Sequence, residues 1–296
     1  MKGAFPGCDS EGMRDTAIVT QGLTKTYGRV GVVKHLDLCV PTGSIYGFLG
    51  PNGSGKTTTM KMILGLTRPT AGQVTVMGKE MNDANRGKIL PHVGSLIDNP
   101  AGYGHLTGQE NMDIQRHLLG LDEKACARAL ELVGLTRHRD KLVRGYSLGM
   151  KQRLGIALAL ARQPQLLVLD EPINGLDPAG IEEIRHLIVK LAAEGVTIMI
   201  SSHILDEIER IATRIGIIAQ GTLLFEGSRE ELIRHSIPDT VFVTSRGTTT
   251  VPGLTAEAVA RRVTELVDAR EDIFEVRREV QRLEDVFMNL TKGAQL

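Results

Sequence analysis

The segment IYGFLGPNGSGKTTTM carries the first residues whose types and order could do chemistry. Gly50 is followed by four residues and then by Gly55, Lys56 and Thr57. An apolar run precedes them and a helical pattern follows, which is the strand-to-helix setting that a phosphate loop needs. Glycines at Gly50, Gly53 and Gly55 let the backbone curl until several N–H groups face one anion, and the helix that starts there adds its positive end. Pro51, Asn52, Ser54 and Thr58 complete the stretch that would wrap a triphosphate. Lys56 is placed to reach the β- and γ-phosphates, and the Thr57 hydroxyl to ligate Mg²⁺.

A second group must help to hold the metal, and LLVLDE supplies it. Four apolar residues place Asp170 at the carboxyl end of a buried strand, where parallel sheets present ligand-binding side chains. Asp170 would hold Mg²⁺ through water, and Glu171 would polarise the water that attacks the γ-phosphate. An acidic pair after a strand can also do no more than cap a helix. With the phosphate loop upstream, the pair points to hydrolysis rather than transfer of the phosphoryl group to a second substrate.

These residues need a frame to bring them together. From Ala17 to about Glu226, short aliphatic runs alternate with helical patterns, as in an α/β domain with a largely parallel sheet. Ile45 to Leu49, Gln73 to Met77, Val93 to Ile97, Leu166 to Leu169 and Thr197 to Ser201 read as strands. Between Thr107 and Val133 the pattern turns helical, with Leu118, Leu121, Leu130 and Val133 at helix-like spacing. After about Ser236 come a strand near Val241, a connector RGTTTVPG, and Val259, Val263 and Leu266 on one helical face. The expected division is a flexible tail at 1–15, a main domain at 16–236 with a helical insertion at about 100–162, and a small α+β appendage at 237–296.

Composition limits the function. Lys plus Arg and Asp plus Glu both number 35 in 296 residues, so the global basic excess of a nucleic-acid-binding protein is missing, and no nucleic acid is expected. Cys8, Cys39 and Cys126 share no metal-ligand spacing. No window approaches the roughly 18 apolar residues of a membrane span.

The order of motifs resembles the nucleotide-binding subunits of ATP-binding cassette transporters, from Ala17 to about His235. In that family the signature LSGGQ stands where Tyr146, Ser147, Leu148, Gly149 and Met150 stand here; Ser147 and Gly149 match. The resemblance implies ATP as the nucleotide and a cassette with a parallel core sheet, an antiparallel portion near the N-terminus and a helical insertion. It also implies a head-to-tail homodimer, in which the signature of one copy closes over the γ-phosphate bound by the other. Tyr27 would stack on adenine, Asn174 to Asp177 would join the two facing sites, and His203 would sense the γ-phosphate.

One position departs from the family. Where a glutamine normally touches Mg²⁺, VGSLIDNPAGY offers Asp98, a shorter and charged side chain. Subunits of the bacitracin-resistance and lantibiotic-immunity type similarly tend to carry an acid there, commonly Glu. The run YSLGMKQRLGIALAL and the ending LEDVFMNLT also resemble that drug and peptide export branch. The implied function is an ATPase subunit at the cytoplasmic face of the membrane, working with a separate membrane permease. The alternatives are an importer ATPase and a soluble cassette acting on ribosomes or DNA. Against the soluble one stand the single cassette and the lack of a long heptad run or zinc spacing.

Overall fold

The computed structural model describes residues 15–98, 102–234, 239–251, 253–279 and 286–288. The expected tail, apart from Asp15, and most of LEDVFMNLT lie outside them. By its contacts the chain divides into units Met1–Gly227 and Ser228–Leu296. The sequence suggests a boundary at 236; the division falls earlier because residues 228–234 cluster with the C-terminal part of the chain.

In the first unit, β1 (Thr16–Tyr27) and β2 (Val30–Pro41) form an antiparallel hairpin, β3 (Ile45–Leu49) runs into the phosphate loop, and α1 (Lys56–Ile63) leaves it. β4 (Ala71–Val76) and β5 (Lys79–Glu80) return to the hairpin, giving a four-stranded sheet in the order β2-β1-β4-β5. α2 (Arg86–Ile89) leads to β6 (Val93–Leu96), and the helical insertion follows as α3 (Gly108–Leu119), α4 (Glu123–Leu132) and α5 (Leu148–Leu160). Then come β7 (Leu166–Leu169), α6 (Pro178–Ala193), β8 (Thr197–Ser202), α7 (Leu205–Glu209), β9 (Arg214–Ala219) and β10 (Thr222–Gly227). The large sheet has the order β10-β9-β3-β8-β7-β6; β9 and β10 pair antiparallel and the rest are parallel.

Every residue of β3, β7 and β8 is buried, as expected of parallel strands covered on both faces. Tyr46, Phe48, Leu166, Val168 and Met199 from this sheet share one core with Ile18, Leu36 and Val74 of the smaller sheet and Met60 and Ile63 of α1. β3 and β7 match the expected strands; the other expected strands differ only at their ends.

The insertion is built from strong local signals. Thr107 and Glu110 form a reciprocal capping box at the start of α3, and Gly120, at φ 64°, ends it. Of the residues at helix-like spacing, Leu130 and Val133 are buried, but Leu118 stands 75% exposed.

A part-buried polar contact ties three strands of the first unit. Glu226 Oε1 accepts the Tyr46 hydroxyl (2.6 Å) and the Cys39 N–H (2.9 Å). Gly216 is needed here, because a methyl group on it would lie 2.2 Å from the Tyr46 oxygen. Burial raises the Glu226 pKa despite those two donors. The folded chain therefore holds that proton more tightly than the unfolded chain, and stability falls as pH rises from the ordinary carboxylate value through the raised one. Glu226→Gln keeps an oxygen for both donors and is expected to flatten this fall. Denaturant midpoints compared between the two proteins from about pH 4 to about pH 8 check it.

The second unit contains α8 (Arg229–Arg234), β11 (Asp239–Thr244), β12 (Gly247–Val251), α9 (Ala256–Asp268) and β13 (Ile273–Glu279), with an antiparallel sheet ordered β12-β11-β13. The expected connector RGTTTVPG is thus largely a strand. Its β-branched threonines suit a ladder, and Gly247, at φ 129°, closes the hairpin against Thr244. Val259 and Val263 are half-buried and Leu266 buried, so the expected face of α9 points inward.

Candidate active site

The phosphate loop spans the turn from β3 to α1. Gly55 lies at φ 108°, and a methyl group there would approach the Val32 carbonyl oxygen to 2.8 Å. A methyl group on Gly50 would come within 2.2 Å of the Ile218 oxygen, so this turn admits only glycine at both places. Lys56 is 5% exposed, and its ammonium donates to the carbonyls of Gly50 (2.6 Å) and Pro51 (3.3 Å). It also lies 3.4 Å from Glu171 Oε1.

Asp170 and Glu171 leave the end of β7 in different directions. Thr57 Oγ1 donates to Asp170 Oδ2 (2.7 Å), which joins the start of α1 to the carboxyl edge of the sheet. Ser201, at the end of β8, donates to Asp170 Oδ1 (2.5 Å) and accepts the Glu171 N–H (2.9 Å). Glu171 takes φ 48°, in the left-handed region that non-glycine residues seldom occupy. Its Oε2 lies 2.8 Å from His203 Nδ1, within hydrogen-bond distance. Two further bonds brace the turn that presents His203. Ser202 Oγ accepts the Ile204 N–H (3.0 Å), and Ser202 donates to Glu207 Oε2 (3.1 Å); burial raises the pKa of Glu207.

The arrangement suits a nucleoside triphosphate with a hard cation. The buried Ser54 hydroxyl, inside the loop, has no hydrogen-bond partner among the described residues, and the Lys56 ammonium leans on two carbonyls where phosphate oxygens would serve better. The Thr57 hydroxyl and the Asp170 carboxylate form an oxygen donor set of the kind Mg²⁺ takes. Among the described residues no group of three or more His, Cys, Asp or Glu side chains could cage a metal alone. A cation here would depend on phosphate oxygens and water, as Mg²⁺ commonly does.

Five of the expected residues thus converge: Lys56, Thr57, Asp170, Glu171 and His203. The remaining ones lie around them or elsewhere. Tyr27 ends β1, half exposed, with Lys25 Nζ 4.9 Å from its ring centre. Ser147 caps α5, accepting the Met150 N–H at 3.2 Å, and is exposed. No hydrogen bond or ion pair among the described residues joins Ser147, Leu148, Gly149 or Met150 to the phosphate loop. The stretch packs instead beside residues 174–177. A methyl group on Gly175, at φ 73°, would meet Leu148 Cδ2 at 3.0 Å, and one on Gly149 would lie 3.7 Å from Leu176. Asp177 accepts the Gly180 N–H and caps α6 ahead of Pro178.

Asp98 follows β6 at φ 63° and pairs with Lys61 Nζ at 2.8 Å, both side chains partly in solvent. Lys61 is one helical turn beyond Thr57 on α1. Neither Lys61 nor Ser201 stands out in the sequence. The tandem serine ahead of His203 was the available sign for Ser201, and it carries meaning only once β8 is paired with β7.

A phosphate loop that joins a central parallel strand to α1, with two carboxylates at the end of a strand one removed from it in the same sheet, defines a nucleotide-hydrolysing enzyme of the phosphate-loop class. A family profile described as ABC transporter matches residues 33–174. Bacitracin transport ATP-binding protein BcrA of Bacillus licheniformis is 52% identical over 213 residues, which cover 71% of this chain and 69% of that one. Lantibiotic transport ATP-binding protein SrtF of Streptococcus pyogenes is 43% identical over 223 residues, covering 73% and 96%. A solved structure described as a dimeric post-hydrolysis state of the ATP-binding cassette MJ0796 bound to ADP and Pi superposes with a TM-score of 0.65 at 26% identity, over 71% of this chain and 98% of that one. The chain belongs to the ATP-binding subunits of ABC transporters, and it is an ATPase.

Proposed function

We propose that this chain drives export of a peptide antibiotic or a similar amphipathic compound through a separate membrane permease. The observation that carries the reading is the convergence of Lys56, Thr57, Asp170, Glu171 and His203 in a chain so similar to bacitracin and lantibiotic transport subunits.

Gly50 to Thr58 wrap the triphosphate and Tyr27 stacks on its adenine. Thr57 and Asp170 would hold Mg²⁺. Bound there, the ion would neutralise charge that builds on the β- and γ-phosphate oxygens. The γ-phosphate draws Lys56 away from Glu171 Oε1, and that oxygen then takes a proton from the water that attacks phosphorus as the bond to the β-phosphate oxygen breaks. His203 keeps the other oxygen in place and reaches the γ-phosphate.

Two copies face head to tail in this reading. Ser147 spends its lone pair on capping α5, which leaves its proton for a phosphate held by the other copy, beside the Gly149 N–H at the positive end of that helix. Leu148 and Met150 line the same contact, and Asp177 joins the two sites. That a solved cassette of similar fold is dimeric supports the pairing of two copies. The cassette sits on the cytoplasmic face of the membrane. Its insertion, about 100–162, touches the permease, with Asp98 at its root, and the C-terminal unit from Ser228 onward supports the dimer. No helix among the described residues is long and apolar enough to cross a membrane.

The test is capture of the Glu171→Gln protein with ATP from gently solubilised cells. A stoichiometric multi-span membrane protein is expected; ribosomal or DNA-repair proteins in its place would overturn the reading. Direction is read separately, as ATP-dependent accumulation of a labelled peptide antibiotic in inside-out vesicles. Asp98→Gln, which releases Lys61, is expected to change the ratio of permease-stimulated to basal hydrolysis by a factor of about two or more. An unchanged ratio in reconstituted vesicles would remove Asp98 from the coupling path.

A further inference from the structure

We infer that Ser201 is a positioning residue of the hydrolytic site, which fixes the two carboxylate residues relative to each other. β7 and β8 pair in parallel with Leu169 opposite Ile200, so the next residues, Asp170 and Ser201, come level at the carboxyl edge of the sheet. The Ser201 side chain is fully buried there. Its single proton goes to Asp170 Oδ1 and its lone pair takes the Glu171 N–H, so one hydroxyl spans both residues.

Each bond has a separate consequence. Asp170 is held at both oxygens, by Ser201 on Oδ1 and by Thr57 on Oδ2, which sets the plane of its carboxylate toward the metal position. Glu171 sits in a backbone conformation that a glutamate avoids, and the bond from its N–H to Ser201 holds it there. With that backbone in place, its side chain reaches Lys56 and His203 at once. Since β8 also presents His203 two residues later, a single strand end orients the carboxylate from its backbone and from its tip.

The inference rests on the reading of Asp170 and Glu171 as the metal- and water-handling groups. Ser201→Ala removes both bonds and leaves Lys56, Thr57 and the carboxylates in the chain. The expected result is a kcat for ATP lowered by about 10- to 100-fold, as for other residues that orient metal ligands, with affinity for ATP measured in EDTA within about threefold of the parent. Mn²⁺ binding in the presence of a non-hydrolysable ATP analogue, read by electron paramagnetic resonance, should weaken by a similar factor. Ser201→Cys, which is close in size and donates weakly, should fall between the two and carries the same test if the alanine variant does not fold. A kcat within about twofold of the parent and unchanged Mn²⁺ binding would overturn the inference, and so would losses of kcat and ATP affinity that match, because a merely structural residue gives that pattern. Glu171→Gln assayed alongside separates the two ideas. If that variant is inactive while Ser201→Ala runs at the parent rate, only the role of Ser201 fails; if Glu171→Gln itself hydrolyses at the parent rate, the underlying reading fails.

Discussion

Glu171→Gln is expected to lower kcat for ATP hydrolysis by about 10²- to 10⁴-fold while ATP still binds, the range that loss of a positioned general base produces. The amide keeps the length and shape of the carboxylate. Its oxygen can stay near Lys56, 3.4 Å away in the parent, and its nitrogen can face His203 if the imidazole presents a lone pair at Nδ1. What disappears is a group able to take a proton from water. Phosphate release at saturating ATP checks the rate, and equilibrium nucleotide binding checks the affinity. Size-exclusion chromatography with ATP checks the companion expectation that the variant accumulates as a dimer. Turnover at the parent rate would remove Glu171 from the chemistry.

Lys56→Ala is expected to act one step earlier, on binding. The ammonium is almost fully buried, and its present partners are two carbonyls and one carboxylate oxygen. Removing one member of a buried, hydrogen-bonded charge pair costs about 2–5 kcal/mol, so affinity for ATP should fall by roughly 30-fold or more. Arginine is no substitute, because its planar fork does not fit where a compact point charge points into the loop. Isothermal titration with ATP and Mg²⁺ is the measurement, and a dissociation constant within threefold of the parent would contradict the role. The two variants separate cleanly: one binds and does not hydrolyse, whereas the other fails to bind.

Much of this site was legible in the chain because its parts are local. Gly50 to Thr57 are consecutive, and a loop that needs glycine at fixed offsets writes its geometry into neighbouring letters. Asp170 and Glu171 follow four apolar residues, so strand, burial and the exit of the carboxylates could be read together. Ser147 and Asp177 were legible as motif positions, and in the structure both cap helices. The order of these segments along the chain was enough to suggest the family.

Whatever depends on pairing between distant segments was not legible. Ser201 joins Asp170 and Glu171 only because β8 lies beside β7 in one particular register, and a slip of one residue would turn its hydroxyl to the other face. Lys61 meets Asp98 only in the folded chain, and no spacing in the sequence encodes that meeting. The exposure of Leu118 and the strand made by Gly247–Val251 escape a reading of the chain for a related reason. Periodicity states which face a residue shares, but the neighbouring elements decide whether that face is covered and whether a threonine-rich stretch finds a ladder partner. The chain by itself determined which groups could do the chemistry and in what local geometry. The tertiary structure decided how two carboxylates, a lysine and a histidine are aimed at one point, because hydrogen bonds between strands are set by sheet register and not by sequence distance.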